Sequence, residues 1–116
     1  MTDAIILYGI SNCDTIKKAK TWLNSHEVEF QFHDYRKQGL DIGLLKTWVR
    51  DLGWEALINR RGTTWRQLAP EIRNTLDAES AIEVMLANPA IIKRPLLVNN
   101  GARHIGFSDE QYSQIF

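Results

Sequence analysis

Between Ala4 and His33 the chain reads strand, turn, helix, strand, and this order of hydrophobic periods constrains its fold more than any other feature. Ala4 to Tyr8 is a continuous apolar run of strand length, as expected for a strand buried on both faces. From a start near Thr15, Ile16, Ala19 and Leu23 recur at helical spacing, with Lys17, Lys18 and Lys20 on other, solvated faces. Val28, Phe30 and Phe32 then alternate with Glu29, Gln31 and His33, the period of a half-buried strand. Strand, helix and strand in so short a span form a βαβ unit with a right-handed crossover.

The turn from the first strand into the helix is Gly9-Ile10-Ser11-Asn12-Cys13-Asp14-Thr15, and it holds the only cysteine of the chain. Backbone N–H groups at a helix start have no intrahelical partner, and with the helix dipole they favour negative charge. A thiol there ionises more easily, and the thiolate is the reactive form. Two readings follow: an activated nucleophile, or a buried and inert small hydrophobe. A polar turn favours the first, while the carboxylate of Asp14 beside the sulfur is expected to oppose ionisation.

The rest of the chain extends the frame. Asp34 to Gly39 reads as a polar loop, and His33 and Asp34, on opposite faces of a strand, do not read as a catalytic pair. Residues 41 to 52 form a helix with Leu44, Leu45, Trp48 and Leu52 as its apolar stripe and Gly53 as its cap; Trp54, Leu57 and Ile58 continue as a short helical piece. Asn59 to Trp65 is a loop in which Arg60 and Arg61 stand beside Gly62, Thr63 and Thr64, either an oxyanion cradle or a solvated loop. Trp65 to Arg73 is weakly helical, and a helix opened by Asp77 or Ser80 buries Ala81, Ile82, Met85 and Leu86 before Asn88-Pro89 stops it. The four tryptophans read as core anchors of this helical middle. Pro95 precedes a strand, Leu96 to Val98, which pairs across Asn99-Asn100-Gly101 with Arg103 to Phe107. Ser108 and Gln111 form a capping box for a last helix carrying Tyr112, Ile115 and Phe116. The order β-α-β, helices, β-β-α is an α/β, thioredoxin-like frame with a mixed sheet. It reads as one domain over 1–116, with a helical insertion at about 40–87 between its halves.

Composition removes several function classes. The 116 residues suit one domain with a real core, and a net charge of +0 gives no general attraction to nucleic acid or an anionic membrane. One cysteine cannot form an internal disulfide, which suits a reducing compartment. No apolar run approaches the ~20 residues that span a bilayer. Met1-Thr2-Asp3 lacks the start of a signal peptide, so a cytoplasmic location is expected. His26, His33 and His104 show no metal-ligand spacing around Cys13, and Gly9 and Gly62 stand outside any phosphate-binding glycine motif. A monomer is the default expectation.

Three phrases carry a resemblance: Asn12-Cys13-Asp14-Thr15-Ile16-Lys17-Lys18-Ala19, Arg61-Gly62-Thr63-Thr64-Trp65-Arg66, and Ile91-Ile92-Lys93-Arg94-Pro95-Leu96-Leu97 after Asn88-Pro89. In this order, along essentially the whole chain, they resemble the ArsC family of glutaredoxin-coupled arsenate reductases and Spx-type regulators that bind RNA polymerase. The likeness is greatest to its YffB-like branch. The resemblance implies a thioredoxin-like fold with a helical insertion and Cys13 as nucleophile. It further implies Arg61 and Arg94 as oxyanion-binding arginines, with Arg60 as an alternate for the first, and a cis proline at Pro95. Asn12 and Thr15 join them as substrate- or anion-binding candidates beside the cysteine.

Two departures refine what the resemblance implies. Arsenate reductases of the family carry a third arginine just before the last helix, where this chain has Gly106. Loss of one charged fork weakens binding of a tetrahedral oxyanion, since such contacts are each worth about 1.5–3 kcal/mol. Arg103 stands nearby in sequence as the one candidate to compensate. Spx regulators often pair the first cysteine with a second three residues on, where this chain has Ile16. Any disulfide is therefore made with another molecule, most simply glutathione. The expected function is a glutathione- and glutaredoxin-dependent thiol reductase with no tightly bound cofactor and no metal. Arsenate reduction and an RNA polymerase-binding regulator are the alternatives.

Overall fold

The protein is described by a computed structural model that covers residues 5–11, 13–99 and 101–116. They form two compact units, one from the chain up to Gln38 together with Arg94–Phe116, the other Gly39–Lys93.

The first unit is built on a four-stranded sheet: β1 (Ile6–Gly9), β2 (Gln31–Asp34), β3 (Leu96–Asn99) and β4 (Ala102–Ile105), in the order β2-β1-β3-β4. β1 runs parallel to β2, with Gly9 opposite Asp34, and antiparallel to β3, with Tyr8 opposite Leu96. Helix α1 (Asp14–Ser25) makes the crossover from β1 to β2. This is the mixed, thioredoxin-like sheet expected from the order of periods. Leu7 and Leu97 pair across β1 and β3 and so point to one face. There they meet Ala19, Trp22 and Leu23 of α1, and Tyr112, in one buried cluster. Removing one such aliphatic side chain costs about 2–5 kcal/mol.

Several boundaries differ from the sequence reading, each for a local reason. The first strand runs to Gly9, and Ala4 lies outside the described residues. The second strand begins at Gln31, not Val28, because the preceding chain is used to close α1. Glu27 takes φ +58, its N–H donates to Asn24 O at 3.2 Å, and the Val28 N–H donates to Leu23 O at 2.9 Å. This is a Schellman closure with a glutamate where glycine is usual. In the hairpin, Asn99 lies opposite Ala102, so β4 starts one residue earlier than expected and ends at Ile105. Gly101 at φ +80 serves the two-residue turn; Asn100 of the expected turn lies outside the described residues. The chain leaves the sheet at Gly106, whose φ is +82 and whose N–H donates to Pro95 O at 2.8 Å. The last helix, α7 (Asp109–Ile115), is half of the expected capping box. Ser108 Oγ accepts the Gln111 N–H at 3.0 Å, but the Gln111 amide donates to Ile105 O at 3.1 Å instead of returning to the cap.

The second unit is helical: α2 (Ile42–Leu52), α3 (Trp54–Leu57), α4 (Thr63–Gln67), α5 (Pro70–Asn74) and α6 (Ala78–Ala87), then a 3-10 turn at Pro89–Ile91. α2 packs on α3 and α6, and Leu45, Trp48, Leu57, Ile58, Ala81, Met85, Ile91 and Ile92 are buried. Asp41 caps α2 by accepting the Leu44 N–H at 2.9 Å, and Asp77 and Ser80 cap α6 reciprocally. The expected weak helix over Trp65–Arg73 is two short ones. Pro70 holds Ala69 in extended backbone and separates them. Of the four tryptophans, Trp48 is fully buried in this unit, whereas Trp54 and Trp65 are half-buried and Trp22 belongs to the core of the first unit.

Candidate active site around Cys13

The sheet register decides what lies beside Cys13. β1 is central, so the chain leaving Gly9 runs on between the ends of its two neighbours. Its parallel partner β2 continues from Asp34 into Tyr35, whose N–H donates to Gly9 O at 3.1 Å. Its antiparallel partner β3 is entered through Arg94 and Pro95, joined by a cis peptide bond. Glycine at position 9 lets α1 begin against the strand end, because a Cβ there would overlap the Ile16 side chain. The Cys13 N–H donates to Ile10 O at 3.2 Å, and the Cys13 carbonyl accepts the Lys17 N–H at 3.1 Å, which opens the helix.

Cys13 occupies the N-cap position of α1, with extended backbone. It stands where serine, threonine or aspartate usually accept from the second and third helical N–H groups. The sulfur makes no cap hydrogen bond of strict geometry, but the N–H groups of Ile16 and Thr15 are directed at it. Burial pushes the thiol up and is the largest single influence. The Ile16 N–H, the Arg94 side chain, the Thr15 N–H and the Arg94 charge together outweigh it, so the thiol ionises below its ordinary value. Asp14, expected to oppose ionisation, is exposed on the first turn of α1.

Tyr35 closes the site from the β2 side. The residue is 2% exposed, and its hydroxyl has no hydrogen-bond partner of strict geometry. Burial pushes its ionisation up to about 12, while the Arg94 guanidinium, close enough for a looser polar contact, works in the other direction. Asp34 is buried as well, and Ser11 N–H (3.1 Å), Arg36 N–H (2.9 Å) and Lys37 N–H (3.2 Å) all donate to its carboxylate. Burial opposes its charge, but the Ser11 N–H and hydroxyl and the other two N–H groups hold the carboxyl below the usual carboxylate value. His33 is not its partner: it faces the other side of the strand, with its ring 5.1 Å from that of Tyr8.

The sequence-derived candidates are thus distributed unevenly. Cys13, Thr15, Arg94 and Pro95 share the first unit, and Arg94 acts on the Cys13 sulfur. Asn12 lies outside the described residues. Arg60 and Arg61 belong to the second unit and are exposed. There the Arg61 N–H donates to Asn59 Oδ1 at 3.1 Å, and the Arg60 guanidinium lies 5.7 Å from the Trp65 ring centre. Gly106 offers no cation, and Arg103 is turned toward Gly101 O, at 3.3 Å, with its charge acting on Tyr8. Asp34 and Tyr35 escaped the sequence reading. The available signal was an acid at the C-terminal end of a strand that pairs in parallel with the cysteine-bearing strand.

Comparison with known proteins agrees with this architecture. The ArsC family model matches residues 8–115. A Haemophilus influenzae protein of uncharacterised function is 45% identical over 112 residues, 97% of this chain and 98% of its own. The global transcriptional regulator Spx of Lactiplantibacillus plantarum is 27% identical over 109 residues, 92% of this chain and 82% of its own. Among solved structures, a protein named YFFB superposes with a TM-score of 0.91 at 45% identity, covering 96% of this chain and 97% of that one. An arsenate reductase-related protein from Brucella melitensis gives 0.82 at 45% identity, covering 98% and 95%. With a cysteine-bearing turn on the central strand of a thioredoxin-like sheet and a match that runs nearly from end to end, the chain belongs to the ArsC family.

Proposed function

We propose that this protein is a glutathione- and glutaredoxin-dependent thiol–disulfide oxidoreductase with Cys13 as its single nucleophile. Its fold is that of arsenate reductase-like thiol oxidoreductases. The observation that carries the reading is the Cys13 sulfur at the start of α1, facing two backbone N–H groups and the Arg94 guanidinium. The Cys13 thiolate attacks the glutathione sulfur of a mixed disulfide. As the new S–S bond forms, the old one breaks, and the substrate leaves as a thiolate that takes up a proton. A second glutathione thiolate, or glutaredoxin, then attacks the Cys13–glutathione disulfide, releases oxidised glutathione or its glutaredoxin adduct, and returns the Cys13 thiolate. Glutathione carries two carboxylates, and Arg94, which acts on the Cys13 sulfur, suits one of them. Asn12, Thr15 and the backbone at Pro95 complete the proposed binding set. A reducing cytoplasm supplies the glutathione this cycle needs.

The test is intact mass after exposure to glutathione disulfide, with Cys13→Ser as control. One glutathione adduct on the wild type, removed by glutathione plus glutaredoxin, is expected. A thiol that stays free, although it is accessible after unfolding, would overturn the reading. Arsenate is a poorer substrate in this reading because Gly106 supplies no third guanidinium. Arsenate-dependent NADPH oxidation, coupled through glutathione, glutaredoxin and its reductase, is expected at background.

A second reading rests on the relatives named as global transcriptional regulators Spx, which align over 92% of this chain. In that reading a surface, and not the thiol, contacts RNA polymerase. The exposed Arg60-Arg61 segment is the candidate surface. Recovery of RNA polymerase in a pull-down that survives Cys13→Ala would favour it; no recovery at low salt would remove it.

A further inference from the structure

Asp34 takes no part in the chemistry above, yet among the described residues it is the one charged side chain that is buried, at 6% exposure. Burying a carboxylate is costly unless its charge is bonded, and N–H groups directed at it offset that cost. Two of its three N–H donors, Arg36 and Lys37, are local and would close an Asx turn anywhere in a protein. The third is different. Ser11 lies 23 residues earlier, in the middle of the turn that carries Cys13. That turn is fixed at one end by the sheet, through Gly9, and at the other by the first bond of α1, through Cys13. Asp34 reaches its midpoint.

We propose that Asp34 is a positioning residue for Cys13: its buried carboxylate, held at the end of β2, grips the Ser11 N–H and fixes the turn so that the sulfur lies against the start of α1 and Arg94. The inference rests on the reading of Cys13 as a nucleophile and adds how its geometry is maintained. Asp34 acts through Ser11, whose N–H its carboxylate accepts. Asparagine at this position keeps size and one acceptor oxygen. It loses the charge, and its amide N–H groups cannot accept from all three backbone donors. The turn then loosens, and the sulfur leaves the N–H groups that favour its thiolate.

The experiment is the rate of Cys13 alkylation by iodoacetamide as a function of pH, which follows the thiolate fraction. It is run on wild type, Asp34→Asn, Asp34→Glu and Ser108→Ala, with Cys13→Ser as the blank. Ser108→Ala removes an exposed cap in the same unit and reports what simple destabilisation does to the profile. In Asp34→Asn the midpoint is expected to rise by about one pH unit, roughly a tenfold loss of thiolate below the midpoint. Asp34→Glu is expected to recover part of it, and Ser108→Ala to leave it in place. An Asp34→Asn midpoint equal to that of wild type would overturn the positioning role. Should Asp34→Asn fail to fold, amide exchange of wild-type Ser11 decides: protection of at least about tenfold is expected, and exchange at the unprotected rate overturns the proposal. A wild-type midpoint at the ordinary thiol value would sink the nucleophile reading itself. A depressed wild-type midpoint that Asp34→Asn leaves unmoved would sink only the part given to Asp34.

Discussion

Replacing Arg94 with methionine separates the charge acting on Cys13 from the helix start that also acts on it. Methionine keeps much of the length and apolar stem of arginine and removes the guanidinium. Arg94 favours the Cys13 thiolate in two ways, by a side-chain hydrogen bond and by its charge. An opposite charge within ~4–6 Å shifts a pKa by about 1–3 units. Cys13 is half-buried, so solvent screens part of that effect and the lower end applies, about one unit or ~1.4 kcal/mol. The alkylation midpoint should therefore rise by about one pH unit, and thiolate near neutral pH should fall about tenfold. The Ile16 and Thr15 N–H groups remain, so the shift should stop there. Stability gives a second, independent readout. The folded thiol titrates below its unfolded value, so in wild type its contribution is fully present above the unfolded value and is lost as pH falls through the folded one. Arg94→Met should flatten that rise of stability with pH. Tyr35 does not confuse the titration, because burial holds its hydroxyl at about 12 and removal of Arg94 can only push it higher. Urea unfolding between pH 6 and 9, beside the alkylation profile, measures both. An unchanged midpoint in Arg94→Met would refute the electrostatic argument and leave the helix start as the sole cause.

Three further substitutions test the local physics around the site. Gly106 has φ +82 and nothing within 4 Å of where a Cβ would stand, so the penalty is backbone strain and not side-chain size. Gly106→Ala and Gly106→Arg should each lower stability by a similar ~1–2 kcal/mol in urea unfolding, and a much larger loss for arginine would show that the space is closed. Glu27 sits at φ +58 in the Schellman closure of α1, so Glu27→Gly should raise stability by about 1 kcal/mol, seen as a higher urea midpoint; a drop would mean that glutamate makes a contact there that outweighs the strain. Tyr35→Phe removes a buried hydroxyl that lacks a strict partner, so stability should hold to within about 0.5 kcal/mol; a loss above ~1.5 kcal/mol would mean the Arg94 contact is a full hydrogen bond.

What the sequence revealed about the fold is what local periods can encode. The apolar run before Gly9 and the helical spacing of Ile16, Ala19 and Leu23 each appear within a few residues, and each is an element of the structure. Short helices without a full period were blurred, as with Thr63–Gln67 and Pro70–Asn74 merging into one weak segment. Closures set by an unusual φ were missed: nothing in Glu27-Val28 announces that the chain there finishes a helix before a strand starts. The site divides in the same way. Cys13 stands out in the sequence as the only cysteine of the chain, whereas Arg94 is singled out only by the family resemblance. Asp34 was read as loop polarity, because the bond that gives it meaning joins residues 23 positions apart. No period in the chain reports a contact of that kind. Asp14, adjacent to the cysteine in sequence, is exposed on the first turn of α1.

The two edges of β1 give the site its division of labour. A parallel neighbour brings its C-terminal end to the C-terminal end of β1, and an antiparallel neighbour brings its N-terminal end there. The Cys13 turn therefore receives the residues leaving β2 on one side and those entering β3 on the other. On the β2 side Asp34 offers a bonded negative charge, which acts on the backbone of the turn through Ser11. On the β3 side Arg94 offers a positive charge, which acts on the sulfur itself. Exchanging the two signs would fail at both places: a cation at position 34 has no acceptor for the Ser11 N–H, and an anion at position 94 repels the thiolate. The signs are thus tied to the sheet order β2-β1-β3.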